Sequence, residues 1–347
     1  MINLFDYDYF LPESLIAKEP VSPRDHSKLL IYNTNTDRVS FDYFYNLDQY
    51  LPEKSFLMLN NTKVLPSRIT LHKENGAKVV VLFLINEIKE NGSGLFVDGL
   101  VDRKVSLQDK LFFEEKSSGL LVKQDKNIFT FKFDFGKGKL FSLLEKYGKM
   151  PLPLYIKKTP LSEEKLRQSY QTVFALNKGS AAAPTASLHF TDEVFGKLKQ
   201  KNIDQYFATL HVGLGTFAPI DKQNIKEKKL HKEFYEIKKE VWDQVLALKS
   251  QGYQMVTAGT TVMRTMESVG LTGKLQGETS IFIYPPFDFQ YADCLITNFH
   301  LPKTSLMLLV EAFLQHKKAK RSLIELYQIA IKNDFRFYSF GDAMLIL

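Results

Sequence analysis

The chain has 347 residues, 44% of them hydrophobic and 24% charged. That composition excludes a disordered protein and leaves ample length for a buried core, with about two domains at roughly 150 residues each. A single cysteine, Cys294, excludes an internal disulfide framework and any paired-cysteine metal site.

Forty-six basic residues against thirty-nine acidic give a net charge of +7. Basic residues gather at 197–201, 226–229 and 316–321. Each run reads most simply as a solvated helix face. Together they permit an anionic partner, since phosphate backbones are bound chiefly by such charge. The first residues lack the basic and apolar regions of a signal peptide, and no apolar run nears the ~20 residues of a membrane span. A cytoplasmic location is expected, and no membrane association.

In chain order, strand-like runs occur first at Lys28 to Tyr32 and Ser55 to Leu59. Between 78 and 135 the pattern is dense in strands. Val79 to Ile85 is continuously apolar, and Phe129, Phe131, Phe133 and Phe135 alternate with Thr130, Lys132 and Asp134. A period of two marks a half-buried strand of an antiparallel sheet. From about 140 the period becomes helical: Leu140, Leu143, Leu144 and Tyr147 end at Gly148, and Val241, Val245 and Leu248 end at Gly252. Between and after these lie strand-like runs at Tyr206 to Val212, Met255 to Ala258, Ser280 to Tyr284 and Cys294 to Phe299.

Alternating strands and helices predict an α/β fold. The expected organisation is a larger, discontinuous, barrel-like α/β domain (1–68 and 146–347) with a smaller β-rich, barrel-like antiparallel domain (69–145) inserted into it. Cys294 lies in an apolar stretch and is read as packing.

Four polar segments carry chemistry. Residues 178–191 join a loop of small residues to a helix expected after Thr191, and include Thr185 and His189. His189 is a candidate acid or base, because imidazole titrates near ~6.5; a core histidine with satisfied hydrogen bonds is the alternative. Residues 210–217 end a strand and contain His211, Gly213, Gly215 and Thr216. A third glycine is absent at the required position, so a tight turn exposing backbone amides fits better than a dinucleotide fingerprint.

Residues 258–264 leave a strand and open a helix, bringing Gly259, Thr260, Thr261 and Arg264. Glycine allows close approach of a ligand, and the N–H groups opening a helix favour anions. A threonine-capped helix with Arg264 in a salt bridge is the alternative. Residues 296–305 place Asn298, His300 and Lys303 before a strongly apolar helix, Leu306 to Phe313. No HExxH pair, P-loop or GxSxG elbow occurs, which lowers metal-dependent hydrolysis, NTP hydrolysis and serine esterase chemistry.

In their order along the chain these segments resemble one family, the S-adenosylmethionine:tRNA ribosyltransferase-isomerases of queuosine biosynthesis. The likeness runs from Phe5-Asp6-Tyr7 through Arg24-Asp25 with Ser27, and Leu59-Asn60-Asn61-Thr62 with Arg68. It continues through Met150-Pro151-Leu152-Pro153, Tyr170-Gln171-Thr172, Ala182 to Thr191, and Thr209 to Phe217. Gly259-Thr260-Thr261 with Arg264, Ile296 to Lys303, and Arg336 to Ile346 complete it. Departures from the common pattern include Asn61 for Asp, Lys63 for Arg, Ser187 for Gly and Val262 for Ser.

The resemblance implies transfer of the ribosyl unit of S-adenosylmethionine to 7-aminomethyl-7-deazaguanine at the tRNA wobble position. The unit rearranges to an epoxycyclopentanediol, giving epoxyqueuosine-tRNA and releasing adenine and methionine. S-adenosylmethionine is then a co-substrate, with no true cofactor and no metal. The partner is the anticodon loop of tRNA with a GUN anticodon, and a monomer is expected.

A carbon beside a sulfonium must lose a proton, so a positioned base is required. His189, His211 and His300 are the acid–base candidates, with Asp25 and Asp342 as orienting or amine-binding carboxylates. Substrate contacts are expected from Arg24, Asn60, Asn61, Arg68, Thr185, Gly213, Gly215, Thr216, Gly259, Thr260, Thr261, Arg264, Asn298, Lys303 and Arg336. The competing expectations are a non-catalytic RNA-binding paralogue and a small-molecule glycosyl-type transferase.

Overall fold

The structure, a computed structural model, describes residues 2–156, 159–213, 220 and 222–347. The first strands are β1 (Lys28–Asn33), β2 (Arg38–Tyr43), β3 (Ser55–Asn60) and the short β4 (Thr62–Val64). Every residue of β3 is buried, which matches a strand covered on both faces.

Seven antiparallel strands follow: β5 (Arg68–His72), β6 (Lys78–Phe83), β7 (Lys89–Asn91), β8 (Gly94–Val101), β9 (Lys110–Phe112), β10 (Ser118–Asp125) and β11 (Ile128–Phe133). They pair in the order β11-β10-β9-β5-β6-β8-β7, and β8 also bonds to β11. That extra pairing closes six of them into a small barrel, with β7 added alongside β8. Closure removes the unpaired edges that an open sheet this small would expose. Alternation fills the interior with Val79, Val81, Phe83, Phe131 and Phe133, all buried. Helix α1 (Lys137–Tyr147) seats Leu140, Leu143 and Leu144 on the same core and ends at Gly148.

The rest of the chain alternates. It runs α2 (Glu163–Ser169), β12 (Asn177–Ser180), α3 (Asp192–Gln200), β13 (Gln205–Leu210), α4 (Lys222–Glu227), β14 (Lys229–Glu236), α5 (Lys239–Ser250) and β15 (Gln254–Ala258). It continues with α6 (Thr260–Thr272), β16 (Gln276–Ile281), β17 (Cys294–Asn298), α7 (Ser305–His316), α8 (Leu323–Lys332) and β18 (Ala343–Ile346).

Nine of these strands form one mixed sheet in the order β16-β14-β13-β3-β15-β17-β18-β1-β2. Its centre, β13-β3-β15-β17, is parallel. Strand alternation separates two cores. Leu57 and Leu59 of β3 join Val256, Ile296, Leu345 and α3 on one face. Phe56 and Met58 join Met255, Val245 of α5 and Val262 and Met266 of α6 on the other. Further along that second face, Leu295 and Met344 meet α7 and α8. Helices on both faces of a largely parallel sheet are the stable way to bury such strands.

Two expectations about elements change. The apolar run Ser280 to Tyr284 is not a strand throughout: β16 stops at Ile281, and Phe282 and Ile283 are buried beyond it. Hydrophobicity there reflects packing rather than a ladder. Strand β14, absent from the sequence reading, pairs with both β13 and β16.

Candidate functional site

Parallel strands place their carboxyl ends along one rim, and ligands of α/β sheets bind there. Asn60 ends β3, His211 follows β13, Gly259 follows β15 and Asn298 ends β17. A cavity opens at this rim. Thr185, Gly259, Thr260, Thr261, Asn298 and His300, all expected from sequence, line it.

The floor is the start of α6. Gly259 has φ +101° and ψ 154°, a conformation open essentially to glycine alone. Among the described residues no side chain caps this helix, so its first N–H groups and two threonine hydroxyls are offered to a ligand as donors. Asn60 braces the floor from below: its Nδ2 donates to Leu210 O at 3.0 Å and to Thr261 Oγ1 at 3.3 Å.

One wall is a buried polar chain. Asn298 Nδ2 donates to Asp342 O at 3.4 Å and lies 3.3 Å from His189 Nε2. His189 Nδ1 lies 2.8 Å from Ser27 Oγ. With both Nδ2 protons committed, His189 Nε2 accepts and Nδ1–H donates to Ser27, which fixes a neutral tautomer. Burial, helped by the nearby Arg336 charge, pushes the His189 pKa down to about 3. Asn298 Oδ1 is buried with no hydrogen-bond partner among the described residues, an acceptor left for a substrate donor.

His300 lines the cavity itself. Its backbone N–H donates to Tyr327 Oη at 2.8 Å, and its carbonyl accepts from Tyr9 Oη. The ring contacts Tyr327 Oη at 3.4 Å and Thr297 Oγ1 at 3.5 Å. Burial lowers its pKa to about 3. His211 sits beside the cavity, with Nδ1 2.8 Å from Thr62 Oγ1, and burial lowers it to about 4. A Cβ on Gly179, whose φ is +151°, would stand 2.8 Å from its Nε2. All three imidazoles are therefore neutral at pH 7.

Sequence reasoning missed the aromatic wall. Tyr155 and Tyr338 line the cavity with ring centroids 4.8 Å apart, and Tyr155 Oη is 2.6 Å from Ser339 Oγ. Segments so distant in sequence meet only in the fold, and nothing in either pattern signals the pairing. Glu233 was missed for the same reason. It is buried on β14, accepts the Gly213 N–H at 3.0 Å and pairs with Arg264.

The remaining candidates are spread around this centre. Arg264 lies one turn into α6, in a second cavity that shares Leu306 with the first. The Gly213 amide is bound to Glu233 rather than exposed, and Gly215 and Thr216 lie outside the described residues. Arg24 and Arg336 line a smaller cleft with Ser27 and His189, and Ser339 belongs to both this cleft and the main cavity. Arg24 Nη1 donates to Gln171 O at 2.8 Å.

Asp342 Oδ1 accepts from Arg336 Nη2 at 2.9 Å, and its Oδ2 from the Arg336 N–H at 2.8 Å. Asp25 Oδ2 accepts from Thr191 Oγ1 at 2.9 Å, while its Oδ1 is buried without a partner among the described residues. Asn61 Oδ1 accepts from Thr209 Oγ1 at 2.7 Å. Lys303 pairs with Asp8 at 2.6 Å, away from the cavity lining. Arg68 begins β5, its backbone bonded to Lys149. The lone Cys294 is buried, and burial pushes its thiol up to about 12, which makes it unreactive. Among the described residues no helix is long and apolar enough to cross a membrane.

A family model described as a queuosine biosynthesis protein matches residues 4–346. The chain is 39% identical over 350 residues to the S-adenosylmethionine:tRNA ribosyltransferase-isomerase of Sulfurihydrogenibium sp., covering 100% of both chains. It is 41% identical over 352 residues to the enzyme of the same name from Carboxydothermus hydrogenoformans, again covering 100% of both. The crystal structure of S-adenosylmethionine tRNA ribosyltransferase from Thermotoga maritima superposes with a TM-score of 0.54 at 31% identity, over 99% of this chain and 100% of that one. The chain belongs to the queuosine-biosynthesis family of S-adenosylmethionine:tRNA ribosyltransferase-isomerases.

Proposed function

We propose that the main cavity is where this enzyme moves the ribosyl unit of S-adenosylmethionine onto tRNA. The substrates are S-adenosylmethionine and tRNA. The acceptor is the aminomethyl group of 7-aminomethyl-7-deazaguanine at the wobble position, and the product is epoxyqueuosine-tRNA, with adenine and methionine released. A GUN anticodon, a monomeric enzyme and a cytoplasmic location belong to this reading. The two units expected from sequence, 1–68 with 146–347 and the inserted 69–145, belong to it as well.

The observation that carries the placement is the convergence of uncommitted groups at the strand ends. The open N-terminus of α6, the Asn298 Oδ1 that has no partner among the described residues, and the neutral His300 all border one space. The wobble base enters unstacked, as base-modifying enzymes require, and an anticodon loop makes that less costly than a duplex. Tyr155 and Tyr338 offer aromatic faces to the sulfonium.

His300 takes the proton from the carbon beside sulfur, because its neutral ring keeps a lone pair. The imidazolium then gives that proton to a ring nitrogen of the departing adenine. Asn298 Oδ1 accepts from an exocyclic amine. Arg24 and Arg336, in the adjoining cleft, hold an RNA phosphate beside the flipped nucleotide.

The test is incubation with S-adenosylmethionine and a GUN-anticodon tRNA carrying the aminomethyl base, following adenine and methionine release and the mass of the modified nucleoside. Release with the expected mass gain supports the reading. RNA binding with no release overturns it in favour of a non-catalytic protein.

A further inference from the structure

The second cavity shares Leu306 with the first. One end is charged, with Arg264 and Glu233, and the rest of its lining includes Leu230, Ile283, Leu306 and Leu309. The side chains of Arg264 and Glu233 are only 5% and 2% exposed. Arg264 meets Glu233 through Nη1 alone, and its Nε and Nη2 are buried without a hydrogen-bond partner among the described residues.

Those two nitrogens direct their N–H bonds along one edge of the planar guanidinium, the edge that grips a carboxylate with two parallel bonds. Leaving such donors unmade on a buried cation is costly. Glu233 cannot relieve them, because it holds the other end of the group and also accepts the Gly213 N–H.

We infer that this second cavity takes the methionyl tail of S-adenosylmethionine, with its carboxylate on the Nε–Nη2 edge of Arg264. The inference rests on the donor assignment above and extends it to a subsite. The donor is bipartite: a nucleoside and an amino-acid tail joined at the sulfonium, with two methylenes before the charged end. A main cavity floored by the start of α6, next to a second one that shares Leu306 with it and pairs apolar walls with the two unmade donors of Arg264, fits that division. A buried guanidinium is also out of reach of a polymer backbone, which disfavours an RNA phosphate here.

The test compares S-adenosylmethionine with decarboxylated S-adenosylmethionine, which keeps the sulfonium, as donors for adenine release in the presence of substrate tRNA. The wild-type enzyme is expected to favour the complete donor by about 10- to 100-fold in kcat/KM, the range for hydrogen bonds to a charged group. Arg264→Gln is expected to abolish the preference by slowing only the complete donor. Equal use of both donors by the wild type, a comparison needing no variant, overturns the inference and leaves the activity standing. Equal loss on both donors in Arg264→Gln assigns the residue a structural role and overturns it too. No adenine from either donor overturns the activity itself, and the inference with it.

Discussion

His189 and Asn298 meet at 3.3 Å between Nε2 and Nδ2, and this contact leaves Asn298 Oδ1 as a buried acceptor with no partner among the described residues. Since Nδ2 also serves Asp342 O, the amide cannot turn over without breaking both bonds. Asn298→Ala removes the open acceptor and is expected to lower kcat/KM by about 10- to 100-fold, the range for a lost bond to a group in the reacting centre. Asn298→Asp keeps the shape and an acceptor but adds a charge facing His189, and is expected to raise the His189 pKa. Adenine release, with NMR titration of the imidazole, checks both. Unchanged turnover in Asn298→Ala would remove this residue from the reacting centre.

The three depressed histidines set a pH dependence whose sign follows from linkage. In the unfolded chain each takes up a proton near the usual ~6.5. In the folded chain His189 and His300 resist until about 3 and His211 until about 4. Below about 6.5 the unfolded state therefore binds more protons, and stability falls as pH drops from there towards 4. At about 1.4 kcal/mol for each tenfold difference in proton affinity, the loss is on the order of several kcal/mol. Denaturant midpoints between pH 7.5 and 4.5 should decline, and His189→Gln should flatten the decline. For activity, kcat/KM should show no histidine inflection near 6.5. An inflection there that His300→Ala removes would mean that His300 is charged in the free enzyme.

Gly259 stands at φ +101° between β15 and α6, and space is not its constraint. A Cβ there would have no neighbour nearer than 3.6 Å, at Ala186 Cβ. Backbone conformation alone disfavours a side chain, at about 1–3 kcal/mol. Gly259→Ala should lower stability in that range. It should also reduce turnover beyond the stability loss, because the first turn of α6 then shifts against the ligand. Urea unfolding paired with steady-state kinetics separates the two effects. Wild-type stability and rate in the variant would show that the turn tolerates the change.

Periodicity made much of this fold legible. The alternating phenylalanines of β11 point into the barrel, and Leu140, Leu143 and Leu144 fall on one face of α1, because burial imposes its period directly on residue choice. Strand β14 escaped because five of its eight residues are charged or histidine, and its alternation surfaces only at Phe234 and Tyr235. Strand β18 is fully buried between β17 and β1. Four residues are too few to show a period, and its partners lie at opposite ends of the chain.

The site divides in the same way. Gly259, Thr260, Asn298 and His300 sit at or just beyond strand ends, and such ends are recognisable as polar breaks in apolar runs. Tyr155 and Tyr338 look like ordinary packing residues, and Glu233 like a surface one, until the fold brings the tyrosines beside the main cavity and Glu233 beside the second. Lys303 is the opposite case: its motif is conspicuous, yet its ammonium is 2.6 Å from Asp8 and 5.0 Å over the Phe5 ring.

That placement makes Lys303 the sharpest contrast with His300, three positions earlier. The Lys303–Asp8 pair is substantially exposed on both sides, so screening limits it to roughly 0–1 kcal/mol. Its backbone N–H donates to Tyr7 O at 3.0 Å, a bond that any residue other than proline can make. Lys303→Ala is therefore expected to leave adenine release within about threefold of wild type and to shift stability by less than about 1 kcal/mol. His300→Ala, assayed alongside, should abolish most turnover while the variant stays folded. A large loss of kcat in Lys303→Ala, with folding intact, would mean that the lysine turns from Asp8 towards the substrate during the reaction.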